Sequence, residues 1–313
     1  MKKPAFTIAA LAVASALALA ACGSADTGSG GATDGGDAAD VSLGLALSTL
    51  NNPFFVSLRD GALAAADEAG VTLTVTDARD DATAQADQVL NFQTQQLDGV
   101  IINPVDSDAA GPIVSPLVTA GTPVVAVDRA VDGAEVDAFV ASDNVLGGTL
   151  AADALAKAIG EKGQVIVLQG VAGTSASRER GQGFTEGIAA YPGIEVVATQ
   201  PADFDRAQGL DVATNLLQAN PGVVGIFAEN DEMALGAIQA LGDRAGKDVF
   251  VVGFDGTADG QAAIDAGTMY ASIAQQPEDL GRAAVEAALA LIEGTEVEKV
   301  VSVPVVVLTK ANG

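Results

Sequence analysis

The chain has 313 residues, no histidine, one cysteine, and a net charge of −26 from 15 Lys and Arg against 41 Asp and Glu. Charge of that sign repels nucleic acid and anionic lipid headgroups, and a chain without histidine lacks the commonest general base and metal ligand. The acidity suits a soluble exported protein. Met1-Lys2-Lys3 is followed by an uncharged apolar stretch from Ala5 to Ala21 and then Cys22. A basic start before a short apolar core is an export signal, and its length falls below the roughly 20 residues that a spanning helix requires.

Leu19-Ala20-Ala21-Cys22 resembles the lipobox of bacterial lipoproteins, so residues 1–21 are expected to be a signal peptide and Cys22 the lipidated first residue; the competing reading is a buried thiol. Lipid chains on Cys22 would hold the protein at a membrane surface. Residues 22–40 are almost wholly Gly, Ala, Ser, Thr and Asp, a composition that cannot form a core and reads as a flexible linker.

From Val41 onward, short β-branched runs alternate with Ala- and Leu-rich stretches at helical spacing. Strands are expected near 42–48, 71–76, 98–102, 123–127, 137–141, 164–168, 194–199, 223–227, 249–253, 270–274 and 300–308. Continuous apolar runs such as GVII (99–102) and VIVL (165–168) suit strands buried on both faces, with helical crossovers between them. The fold class is therefore α/β with parallel sheets.

Ligands of such sheets bind beyond the carboxyl ends of the strands, and the residues there are polar or aromatic: Asn52, Phe54 and Phe55; Asn103; Asp128 and Arg129; Ser142; Val171; Phe204; Asn230; Phe254 and Asp255; Gln275. Amides bind hydroxyls and aromatic rings lie on apolar C–H faces, a combination that suits a sugar. Against ligand binding stand plainer readings: Asn52 before Pro53 as an ordinary helix start, one of the two phenylalanines packed inward, Asp128 with Arg129 as a structural ion pair, Asn230 as a helix cap, Asn103 before Pro104 as a turn start, and Asp255-Gly256 as a turn. Phe204 lies at N′ of a capping-box helix whose N4 residue is Gly209, so its ring lacks the usual apolar partner. Phe184 and Ile188 mark the buried stripe of a helix over 174–190. Arg180 lies on that stripe and must find an acidic neighbour or ligand oxygens, whereas Arg178 points to solvent.

No GxxxxGK[ST] loop, GxGxxG turn or calcium loop occurs, QGVAGTS (169–175) reads as a tight turn, and no carboxylate pair stands out for glycosidase chemistry. No cofactor, metal or enzymatic activity is expected.

Eight segments in order, STLNNPFFVSLRDGA (48–62), INPVDSDA (102–109), ASDNVLGG (141–148), LQGVAGTSASRERGQGF (168–184), QPADFDR (200–206), FAENDEMALGA (227–237), VVGFDGTADG (251–260) and IAQQP (273–277), resemble the type I periplasmic binding proteins of bacterial sugar ABC importers, and among them the ribose-binding members. The resemblance runs from about Val41 to Lys310. It implies two similar doubly wound domains, 41–142 plus 276–306 and 143–275 plus 307–313, joined by a three-segment hinge. It implies that Phe54, Phe55 and Phe204 cover the faces of a pyranose and that Asn52, Asp128, Arg129, Arg180, Asn230, Asp255 and Gln275 bond its hydroxyls. Asn103, Ser142, Val171 and Phe254 would complete the wall. Val171 replaces an expected isoleucine. The expected function is capture of D-ribose, another aldose or a furanose-like signalling molecule by a monomer that delivers it to an ABC importer permease. Cys22 and its linker depart from the soluble pattern and imply anchoring to the outer face of the cytoplasmic membrane. The sensor domain of a sugar-responsive repressor shares this architecture but carries a DNA-binding helix pair where this chain has an export signal.

Overall fold

The computed structural model describes residues 41–312; the export signal, Cys22 and the 22–40 linker lie outside the described residues. The chain begins with β1 (Ser42–Leu47), α1 (Pro53–Ala69), β2 (Thr72–Asp77), α2 (Ala82–Gln95), β3 (Gly99–Ile102), α3 (Ala110–Ala120), β4 (Val124–Val127) and β5 (Ala138–Ser142). These strands and a later one form a parallel sheet whose buried Val, Ile and Leu runs need helices on both faces. Leu43, Leu45, Leu58 and Ile101 pack on one face, and Val89, Phe92, Ile102 and Leu117 on the other.

The second sheet follows, with α4 (Asn144–Ile159), β6 (Gly163–Gln169), α5 (Ser175–Ile188), β7 (Ile194–Pro201), α6 (Arg206–Ala219), β8 (Val223–Ala228), α7 (Asp231–Leu241), β9 (Phe250–Asp255), α8 (Ala258–Ala266) and β10 (Ala271–Ala274). The chain then returns to the first sheet through α9 (Pro277–Ile292) and β11 (Val300–Val303), and ends in the second as β12 (Val306–Thr309). The strand orders are β11-β5-β4-β3-β1-β2 and β12-β10-β9-β8-β6-β7, so the same winding occurs twice.

The run expected as one strand over 300–308 divides at Pro304, because proline has no N–H for the ladder. β12 pairs antiparallel with β10, matching Val306 to Ala274, and is the one departure from parallel pairing in the described sheets. It also puts the last passage between sheets before Val306, not between 306 and 307. The other passages follow Ser142 and Ala274.

Helix α5 comes close enough to α4 for backbone contact because glycines face each other. A Cβ on Gly148 would meet the Arg180 carbonyl at 2.2 Å, and one on Gly183 would meet that of Val145 at 1.9 Å. Phe184 stacks on Phe227 of β8 at 4.5 Å and with Ile188 is buried, as the stripe predicts. This packing sets the height and rotation of Arg180.

Candidate functional site

At the carboxyl ends of both sheets lies a small, partly open cavity lined by Asn52, Phe54, Phe55, Asp128, Arg129, Ala176, Arg180, Phe204, Asn230, Asp255 and Gln275. A larger outer cavity shares Asn52, Phe55, Arg129 and Phe204 with it and continues past Val171, Asp80 and Asp205.

Asn52 both caps a helix and lines the cavity. Its Oδ1 accepts the Phe54 amide at 2.9 Å, capping α1, which leaves the NH2 end to offer the cavity. Phe54 and Phe55 meet edge to face at 5.1 Å and both line the cavity, so the expected split into one core ring and one cleft ring does not hold. From the second sheet, Phe204 sits in the left-handed region at φ 58°. Its ring lies over Gly170, where a Cβ would come within 2.0 Å of the ring; the missing N4 partner is replaced by bare backbone.

Two buried arginines carry the charge. Arg129 donates to the Pro104 and Val105 carbonyls at 3.1 and 3.3 Å and lies 3.8 Å from Asp128, while its Nε has no hydrogen-bond partner. Its guanidinium stands over the Phe55 and Phe204 rings at 5.2 and 5.6 Å, a cation–π arrangement that strengthens where water is excluded. Arg180 donates from Nε to Asn144 at 2.9 Å and from a terminal nitrogen to the Glu229 carbonyl at 2.7 Å, with Asp255 at 3.6 Å. Its acidic neighbour and its place in the cavity coexist, so the two readings of that residue were not exclusive.

Burial pushes the Asp128 carboxyl up against the opposing pull of Arg129 and Arg180, and lowers the Arg129 guanidinium. Burial likewise holds Asp255 well above the ordinary carboxylate range. Gln275 donates to Asp255 at 2.8 Å and leaves its Oε1 buried and unbonded. Asn230 accepts the Met233 amide at 2.9 Å as cap of α7 and donates to the Phe204 carbonyl at 3.1 Å. The result is a small, largely polar slot in which phenylalanine rings contributed by both halves lie among fixed donors and acceptors. Such a slot suits a compact molecule with flat C–H faces and an equator of hydroxyls.

Four expected wall residues stand outside the inner lining. Asn103 spends its amide internally: Oδ1 accepts the Ser48 hydroxyl at 2.6 Å, and Nδ2 donates to the Val127 carbonyl and Asp128, both at 3.1 Å. It therefore holds Asp128. Phe254 is covered by the Arg180 guanidinium at 3.9 Å and backs that residue. Val171 lines the outer cavity, and Ser142 is buried with an unbonded hydroxyl away from both.

Ala176 joins the lining without having been singled out; a methyl in a helix's first turn carries no chemical signal in sequence. Arg178 is not simply solvated. It pairs with Asp132 at 2.6 Å and Asp108 at 3.2 Å on loops of the first sheet. Beside it the Ala130 amide donates to the Ser175 hydroxyl at 2.8 Å and the Ser175 amide to the Ser107 hydroxyl at 3.1 Å. These contacts cross from one sheet's loops to the other's. No cluster of three or more Cys, Asp or Glu fit to hold a metal occurs among the described residues.

The periplasmic binding protein domain family matches residues 43–296. The chain is 48% identical over 256 residues to the ribose import binding protein of Escherichia coli strain K12, covering 82% of this chain and 86% of that one. It is 43% identical over 272 residues to the ribose import binding protein of Bacillus subtilis strain 168, covering 87% and 88%. Among solved structures, an ABC transporter periplasmic solute binding protein from Actinobacillus succinogenes 130z with bound D-allose superposes with a TM-score of 0.81 at 35% identity, covering 87% of this chain and 98% of that one.

Proposed function

We propose, from the premise that this chain belongs to the type I periplasmic binding proteins of sugar ABC importers, that it captures D-ribose in the cleft between its two sheets and delivers it to a membrane permease. The observation that carries the reading is the slot itself. Phe54 and Phe55 come from the first sheet and Phe204 from the second, while Asp128, Arg129, Arg180, Asn230, Asp255 and Gln275 surround them. In this reading the rings cover the two faces of a pyranose. Its hydroxyls bond the unpaired Arg129 Nε and Gln275 Oε1, which supplies these buried groups with partners. The ribose import binding proteins at 48% and 43% identity support ribose.

The remaining parts follow from the same reading. Two domains, 41–142 with 276–303 and 143–275 with 306–312, close about the three inter-sheet passages and present a joint surface to the permease. Export and lipidation at Cys22 place the monomer at the outer face of the cytoplasmic membrane. Another aldose is the second reading, supported by the solute binding protein that holds D-allose.

Calorimetric titration of the purified chain with D-ribose, then with other pentoses, hexoses and polyols, tests the assignment. Ribose is expected to bind tightly and the others weakly. A response to another sugar alone would retain the solute-binding role and overturn ribose; silence across the series would overturn sugar capture.

A further inference from the structure

β8 lies between β6 and β9 in the second sheet and runs into Glu229-Asn230-Asp231. Asn230 lines the cavity, whereas the acids on either side of it are fully buried and do not. Their carboxylates reach in opposite directions along the sheet. Glu229 Oε2 accepts the Gly170 amide at 2.7 Å and the Ser177 hydroxyl. Gly170 is the seat of the Phe204 ring, Ser177 is one turn before Arg180, and the Glu229 carbonyl takes the Arg180 guanidinium. Glu229 therefore touches the supports of two cavity residues without reaching the cavity.

Asp231 does the same toward the other edge. Its Oδ2 accepts the Thr257 amide and hydroxyl at 2.8 and 3.0 Å, and its Oδ1 accepts the Ser272 hydroxyl at 2.7 Å. Thr257 caps α8 two residues past Asp255, and the Ser272 oxygen accepts the Gly256 amide at 3.0 Å. Glycines make the room: a Cβ on Gly253 or Gly260 would approach the Asp231 carboxylate to 2.3 or 2.2 Å.

Burial pushes Glu229 up to about 7, with Arg180 the charged group that opposes it, and pushes Asp231 up to about 6, with Asp255 as its acidic neighbour. Buried acids so disfavoured are seldom kept for stability, since apolar replacements of like shape often fold as well or better. We propose that Glu229 and Asp231 are positioning residues, which clamp the loops after β6 and β9 onto the end of β8 and so set Arg180, Phe204, Asp255 and Gln275 at the spacing the ligand requires. This rests on the reading of the cleft as a sugar site.

D-ribose titrations of E229L, D231L, E229Q and D231N test it. E229Q keeps the one oxygen through which Glu229 accepts and is expected to bind within about threefold of the parent, D231N keeps one of two accepting oxygens and is expected to fall between, and the leucine variants, which leave buried donors unpaired, lose at least about tenfold. Because Glu229 acts in part through Arg180, the loss in E229L is expected to shrink when both are measured on an R180M background, the remainder being the share that acts through Gly170 and Phe204. Leucine variants that melt normally yet bind like the parent, or an E229L loss undiminished on R180M, overturn the proposal.

Should a leucine variant fail to fold, S177A and S272A each remove one clamp bond with little change of volume, and parent-like affinity in both is equally fatal. Hydrogen exchange of the sugar-free proteins reads the linkage without a ligand. S177A should speed exchange around Gly170 and Arg180, and S272A around Gly256; unchanged protection in both overturns the clamps. A parent chain that bound no sugar would overturn the cleft reading, and the exchange comparison would still decide the clamps.

Discussion

Asp128 directly follows β4 and Asp255 ends β9, strands that hold the third place in their respective sheets, and both have positive φ, 64° and 110°. Left-handed backbone is tolerated by aspartate better than by most residues, and where it clusters at a cleft it marks a backbone held by its surroundings. Each aspartate is steadied from behind, Asp128 by Asn103 and Asp255 by Gln275. The arginines paired with them both line the cavity. Hydrogen bonds to charged groups contribute about 1.5 to 3 kcal/mol, so Arg129→Ala or Arg180→Ala is expected to weaken ribose binding at least about tenfold by calorimetry. Affinity unchanged in either variant would remove that arginine from the site.

Helix α5 works on two sides at once. Its inner face fixes Arg180 against the second sheet, and its outer face sends Arg178 across to Asp108 and Asp132. The ion pairs are partly exposed, and such pairs contribute roughly 0.2 to 1 kcal/mol each. Removing both with Arg178→Ala should therefore weaken ribose binding by about two- to thirtyfold, and the change is expected in the release rate rather than in the capture rate. Stopped-flow fluorescence or competition kinetics would measure it. A release rate equal to the parent's would mean that these pairs do not hold the closed cleft. The helix pattern in sequence identified the inner stripe correctly but assigned Arg178 to water, because periodicity reports which face leaves one sheet and not what another sheet brings to that face.

For the whole molecule, buried acids and surplus negative charge act in the same direction. Glu229 rises from 4.5 to about 7 in the folded protein and Asp231 from 3.8 to about 6. Between those limits the folded chain holds protons that the unfolded chain has released. Stability is therefore greatest below about pH 4 to 4.5 as far as these groups are concerned, and it is lost as pH rises through 6 and 7. At about 1.4 kcal/mol per pKa unit the effect amounts to a few kcal/mol. The thermal midpoint should fall between pH 5 and pH 8 at constant ionic strength, and Glu229→Gln should flatten that fall and raise the midpoint at pH 8. Equal slopes in parent and variant would show that Glu229 does not titrate in this range.

The amino-acid sequence by itself determined the α/β class, nearly every strand, and the strand-end residues among those that line the inner cavity. It could do so because two-sided burial writes continuous apolar runs and because amides, aromatics and charges directly after such runs are conspicuous. Three-dimensional packing alone decided the rest. Pro304 breaks the final run, but that the segment beyond it pairs antiparallel with β10 in the second sheet is set by the free edge of β10. Asn103 and Phe254 resemble lining residues in sequence, yet one turns behind Asp128 and the other behind Arg180, since a position at a strand end does not say which layer of side chains it joins. Glu229 and Asp231 carry no sequence signal of their own beside the helix cap Asn230. Their burial and their bonds to neighbouring strands arise only when β6, β8, β9 and β10 lie side by side, where distances across a sheet bear no relation to separation along the chain.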